Sequence, residues 1–263
     1  MRVEIQKIAL YVLSILAVVL GLLGYTYNME YRYPEVPVGF PVETALHGCG
    51  YPIEPAWHYA ATPQLIRNKA EIYPEAAEFS AGYFKYGLTN QDMDITADVV
   101  EGEVPLLLQW DKRWGYELYG TNYMGNNACG PTALAIVYAG LTGKTDQTPY
   151  DIAQYAVGQG MYVSGQGTRW ELMEVGGTHL GLRVQRLWKD ENAIKAGLLD
   201  GKLMVVYVRK GDFTVGGHFI VIAGTTDDNK LIVRDPNSRE NSAVTWDFDR
   251  VMEQSGCWWQ FNL

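Results

Sequence analysis

From residue 104 onward the helical patterns come first and the strand patterns afterwards, and this order constrains the fold more than any other feature of the chain. Residues 130–141 form a strong helix pattern, with Pro131 suited to the first turn, an apolar face of Ala133, Leu134, Ile136, Val137 and Tyr138, and Gly143 as the stop. Thr148-Pro149-Tyr150-Asp151 is a capped start to a second helix running to about Val157. Further helices are expected over 168–180, where Gly176 and Gly177 interrupt the pattern, and over 192–199. Strands follow at 203–208, 218–223 and 230–234, the last two joined by the turn Asp227-Asp228-Asn229. A short helix at 247–253 and an aromatic strand at 257–262 end the chain. Segregated helices and strands predict an α+β domain, not a doubly wound sheet.

The remainder of the 263 residues is organised differently. Residues 8–27 carry no charge, long enough for a helix to span about 30 Å of bilayer core. Arg2 and Lys7 precede the stretch, and Tyr25, Tyr27, Tyr31 and Tyr33 crowd its far end as an interfacial belt would. We read residues 1–33 as a membrane anchor that leaves the rest of the chain outside, on a single-pass topology. A cleaved signal peptide, which would make the protein secreted, is the alternative. Residues 34–103 hold eleven acidic against three basic residues, and prolines at 34, 37, 41, 52, 55, 63 and 74 divide them. That segment reads as an acidic stalk or pre-domain, with helix expected only near 63–83.

With a net charge of −9 the chain lacks the basic footprint that nucleic acid requires. Residues 158–167 are glycine-rich but lack the Lys-Ser/Thr of a phosphate loop, so no ATP site is expected; the run reads as a mobile loop at the rim of a cleft. His47, Cys49 and His58 are too few for a zinc centre. Cys49 and Cys257 could form a disulfide outside the membrane, leaving Cys129 as the odd thiol of three. His179 reads as structural.

Cys129 stands at the first turn of the 130–141 helix, where exposed amides and the helix dipole favour a thiolate. Taken alone, such a cysteine is more often a small buried hydrophobe. His218 opens an apolar strand behind Gly216 and Gly217, and Asp235 ends the next strand. In a hairpin turning at 227–229 these two become neighbours, which gives the carboxylate the orienting position of a catalytic triad. Gln109, twenty residues before the cysteine, could place a side-chain amide in an oxyanion hole, although a surface glutamine is the plainer reading.

The run Val104-Pro105, Gln109-Trp110-Asp111-Lys112-Arg113-Trp114-Gly115, Tyr119-Gly120, Ala128-Cys129-Gly130-Pro131-Thr132-Ala133, Leu141-Thr142-Gly143, then Gly217-His218-Phe219 and Asp235-Pro236, resembles the C39-like peptidase family. The resemblance covers about 104–263 and implies a papain-like cysteine peptidase fold. It implies Cys129 as nucleophile, His218 as general base and acid, Asp235 as its orienting partner and Gln109 at the oxyanion. It implies no cofactor. The best-known members are fused to an ABC transporter and cleave leader peptides after a double glycine. This chain has no ATP-binding motif, so it resembles the stand-alone branch and the double-glycine specificity does not carry over. The expected substrate is a peptide or a peptidoglycan-type cross-bridge. A non-catalytic peptide-binding module and an acyltransferase are the alternatives on the same fold.

Overall fold

A computed structural model describes residues 62–263. The apolar stretch 8–27, the Cys49 end of the considered disulfide, and His47 and His58 lie outside the described residues. Among the described residues no helix is long and apolar enough to cross a membrane.

The centre of the fold is a six-stranded antiparallel sheet. Its strands are β1 (Arg183–Trp188), β2 (Leu203–Val208), β3 (His218–Thr225), β4 (Leu231–Arg234), β5 (Thr245–Trp246) and β6 (Ser255–Asn262), in the spatial order β1-β6-β2-β3-β4-β5. Successive side chains point to opposite faces of a strand. On β2, Val205 therefore joins one apolar cluster with Phe219, Val221, Trp259 and Phe261, while Met204 and Val206 join a second with Ile220, Ile222 and Trp258. Both faces are covered, so β2 and β3 read as continuous apolar runs instead of alternating ones.

The principal helices are α1 (Gln64–Ile72), α2 (Ala77–Ala81), α3 (Cys129–Thr142), α4 (Pro149–Gly158), α5 (Glu191–Leu199) and α6 (Phe248–Gln254). Residues 130–139 of α3 are all buried, and Ala133, Leu134, Ile136 and Val137 belong to the cluster on one sheet face. Gly143 ends α3 in the left-handed conformation at φ 67°, where a side chain would be strained. The α4 capping box forms as expected: Thr148 Oγ1 accepts from the Asp151 amide and an Asp151 oxygen accepts from the Thr148 amide. Helix α5 carries Ile194 and Leu198 to the opposite sheet face, and Val251 of α6 joins them.

Three local expectations change. Residues 168–180 are not one helix: Gly167–Thr168 closes a small hairpin with Tyr162–Val163, and a wide turn over Leu172–Gly176 runs into one helical turn at Gly177–His179. The two glycines are there for close packing, since a Cβ on Gly176 would lie 2.9 Å from Leu134 and one on Gly177 2.5 Å from Val184. The 158–167 run, read as a mobile loop, contains all of that hairpin except Thr168. Strand β1 has no counterpart in the sequence reading, because as an edge strand it exposes Arg183, Gln185 and Trp188, half-buries Val184 and Arg186 and buries only Leu187.

Residues 62–86 pack on the domain. Ile66, Ala76 and Phe79 form a third cluster with Leu108, Trp110 and Tyr116. Phe79 stacks on Tyr116, with ring centroids 4.6 Å apart and planes 14° from parallel.

Candidate active site

Each element delivers one group to the same place. Cys129 is the first residue of α3, so its amide lies in the turn whose N–H groups have no acceptor within their own helix. The next residue must be small: a Cβ on Gly130 would lie 2.7 Å from the Thr168 side chain, so glycine lets the 162–168 hairpin close against the helix start. His218 opens β3, where Gly217 has the same function, since a Cβ there would sit 2.1 Å from the Tyr207 hydroxyl.

The β3–β4 hairpin pairs Val221 with Arg234, and the chain turns immediately after Asp235. His218 Nε2 donates to Asp235 Oδ1 at 2.6 Å, the neighbourhood that the hairpin argument expects. Asp235 is fully buried. Its Oδ1 also accepts from the Asn237 amide at 2.8 Å, and its Oδ2 from Asn241 Nδ2 at 2.8 Å. Three donors converge on one carboxylate, which is how a charge is tolerated inside a protein.

With Nε2 engaged, Nδ1 is the ring nitrogen left for Cys129, and the thiol and imidazole lie close enough for each to shift the other's protonation. Burial pushes the thiol up, but the hydrogen bond and charge of His218, the Phe219 amide and the Lys69 charge together hold it below the ordinary value of 9. Burial also disfavours the imidazolium. The charge and hydrogen bond of Asp235, followed by the contact with Cys129, more than offset it and raise His218 to about 10. In such a pair thiolate and imidazolium stabilise each other, and a proton moved from sulfur to nitrogen leaves the sulfur in its nucleophilic form.

Gln109 is buried between the two halves of the site. Its amide donates to Pro236 O at 2.7 Å, next to Asp235, and its Nε2 donates to Gly125 O at 2.7 Å, four residues before Cys129. The acceptor at Gly125 fixes which end of the side-chain amide carries the nitrogen, and Oε1 is buried without a partner. The second Nε2 hydrogen has no assigned acceptor.

Cys129 opens onto a cleft of about 710 Å³. Val163, Gln166 and Arg169 form part of its lining on the hairpin side, with Trp170, Tyr207 and Phe219 as its aromatic side. The glycine-rich run thus contributes a rim, as expected. His179 stacks on Tyr155 at 4.2 Å, in a structural setting apart from the cleft lining. Cys257 is buried in β6, and burial pushes its thiol to about 11.

Sequence reasoning missed Asn237 and Asn241, which bind Asp235, and Trp110, whose Nε1 donates to Asn237 O at 3.0 Å. An Asx turn at Asp-Pro-Asn is the signal that could have found Asn237. Lys69, buried beside Asn237, carries no local signal at all.

Among proteins of known sequence or structure, the Peptidase_C39 like family matches residues 101–262. No curated protein sequence matches the chain. A crystal structure described as a C39-like peptidase from Bacillus anthracis superposes at TM-score 0.43 and 15% identity, over 63% of this chain and 97% of that one. The peptidase domain of Streptococcus ComA, a bi-functional ABC transporter involved in a quorum-sensing pathway, does so at TM-score 0.40 and 20% identity, over 52% and 91%. The family match spans more than half of the chain and contains Gln109, Cys129, His218 and Asp235, so this protein belongs to the Peptidase_C39 like family.

Proposed function

We propose that this protein is a cysteine peptidase that hydrolyses amide bonds through an acyl-enzyme, with Cys129, His218 and Asp235 as its triad. The observation that carries the reading is the buried His218–Asp235 hydrogen bond set beside Cys129, which lines the cleft at the start of its helix. The Cys129 thiolate attacks the scissile carbonyl carbon, forming a C–S bond and moving the carbonyl electrons onto oxygen. The Cys129 amide and the remaining Nε2 hydrogen of Gln109 stabilise that oxyanion. The tetrahedral intermediate collapses, the C–N bond breaks, and His218 gives its proton to the leaving amine. A water then enters, His218 takes one of its protons, and hydroxide releases the acid from the thioester and restores the thiolate. Asp235 keeps the imidazole in the required tautomer and stabilises its charged form.

A peptide, free or within a peptidoglycan-type cross-bridge, is the substrate class. The Trp170–Tyr207–Phe219 side of the cleft offers apolar contact and Arg169 a cation. The uncharged 8–27 stretch supports an anchored enzyme working outside the membrane. The test is hydrolysis of a fluorescence-quenched peptide library by the full chain. Cys129→Ala and His218→Ala are expected to lose it; a Cys129→Ala protein that keeps the wild-type rate would overturn the proposal.

A further inference from the structure

We propose that Lys69, on a helix that precedes the family-matched region, is a positioning residue for the Cys129–His218–Asp235 set. The inference rests on the cysteine-peptidase reading of that set. Helix α1 is fastened to the domain on two sides: Ile66 is buried in the cluster with Trp110 and Tyr116, and Leu65 O accepts from Asn126 Nδ2 at 2.9 Å. This docking carries Lys69 inward until it is 5% exposed. Its ammonium donates to Asn237 Oδ1 and lies 4.6 Å from the centre of the Tyr73 ring. The Asn237 amide donates in turn to Asp235 Oδ1, the atom that accepts from His218. One residue therefore links the ammonium to the carboxylate of the triad.

The segment also grips the loop that follows Asp235. Glu75 accepts from the Ser238 hydroxyl and from the Arg239 amide, the latter at 2.7 Å, and Glu78 pairs with Arg239 at 2.6 Å. The charged and titratable groups facing Lys69 are Cys129, Asp235 and Glu75, with Tyr73 beneath it. Those acting on Cys129 include His218, Lys69 and Tyr119. Among the described residues no carboxylate lies within ion-pair distance of the ammonium. A buried cation in that position is costly, and what offsets the cost is chiefly the negative charge of Cys129 and Asp235, with a smaller share from Glu75. By the same interaction Lys69 stabilises the thiolate, while its hydrogen bond holds Asn237 against Asp235. Burial pulls the ammonium down to about 7, so it is charged throughout the acid range where the thiolate must be maintained.

The experiment is iodoacetamide labelling of the full chain from pH 4.5 to 10, read peptide by peptide so that Cys129 is separated from Cys49 and Cys257. Lys69→Met removes charge and donor; Lys69→Gln removes the charge and keeps a donor for Asn237. Both are expected to move the Cys129 profile upward by about one pH unit, about tenfold slower labelling at pH 5.5, with rates above pH 9 unchanged. A role in folding alone would lower the melting temperature and leave the profile in place, so a Lys69→Gln profile that superposes on wild type overturns the inference, even if Lys69→Met fails to fold. A wild-type Cys129 that titrates as an ordinary thiol, with no response to His218→Ala, overturns the peptidase reading and this inference with it.

Discussion

Phe79→Ala tests whether the segment before residue 104 belongs to the same cooperative unit as the candidate site. The Phe79 ring is 2% exposed, stacks on Tyr116, and lies against two backbones: a Cβ built on Gly115 would meet it at 2.8 Å and one on Gly125 at 2.4 Å. Truncating a fully buried phenylalanine removes its transfer free energy and leaves a cavity, a cost of about 3–5 kcal/mol. Gly115 and Gly125 are hydrogen-bonded to each other and Gly125 O holds Gln109, so this cavity has little freedom to collapse. A cost of at least the middle of that range, about 4 kcal/mol, is therefore expected. With a urea slope of about 2 kcal/mol/M, the main unfolding midpoint should fall by about 2 M. Tryptophan fluorescence is the assay, since Trp110 and Trp114 are buried in the neighbouring clusters. If residues 62–86 behave instead as a separately melting stalk, the mutation would act only on a minor early transition. A main midpoint that moves by less than about 0.3 M would refute the packing argument.

Four other outcomes follow from the structure. Hydrolysis should rise with pH as the Cys129 thiol ionises below its ordinary value and fall as His218 loses its proton near pH 10; because the folded value exceeds the free imidazole's 6.5, the associated stability is complete below about pH 6.5 and lost as pH rises through about 10. Asp235→Asn removes the carboxylate charge that His218 Nε2 meets at 2.6 Å, a pairing worth roughly 4 kcal/mol or about three pH units, so the upper limb should drop towards pH 7, and an unchanged limb would contradict the assigned partner. Cys257, buried and raised to about 11, should stay unlabelled by iodoacetamide at pH 7 in the folded protein and react only in urea. Gly130→Ala forces a Cβ against Thr168 and should cost about 1–3 kcal/mol in a denaturation curve, with slower Cys129 labelling as the hairpin is pushed off the helix start.

What the sequence made legible was local. Cys129 at a helix start, Thr148 with Asp151 as a cap, and the Asp227–Asn229 turn each rest on residues within about four positions of one another, where backbone chemistry is decisive. The His218–Asp235 contact was legible for the same reason, because one short turn keeps the two strands adjacent, and the bulge at Ile222–Gly224 shifts their register without separating them. Strand β1 was not, since an edge strand with Arg183 and Arg186 has no apolar alternation to read. The wide turn at Leu172–Gly176 depends on what faces it across the core, namely Leu134, and no window of neighbouring residues contains that information. Lys69 and Asn237 lie 168 positions apart, and only the docked third cluster brings them together.

The same contrast explains how the site is built. Cys129 sits at the start of a helix whose next ten residues are all buried, and His218 sits at the start of a strand buried in the middle of the sheet. Neither backbone can shift without opening the core, so the distance between thiol and imidazole is set by packing. Asp235 is different, because it leaves the sheet at a turn and is followed by Pro236-Asn237-Ser238-Arg239, a stretch outside every strand. That stretch is held by hydrogen bonds that Gln109, Trp110 and Lys69 donate to it and that Glu75 accepts from it. Two of those four residues lie before position 101, so the orientation of the histidine depends on chain that the family match does not include. On this argument, loosening residues 62–86 acts first on Asp235: the His218 titration and the acid limb of Cys129 should shift before the sheet or α3 loses any structure.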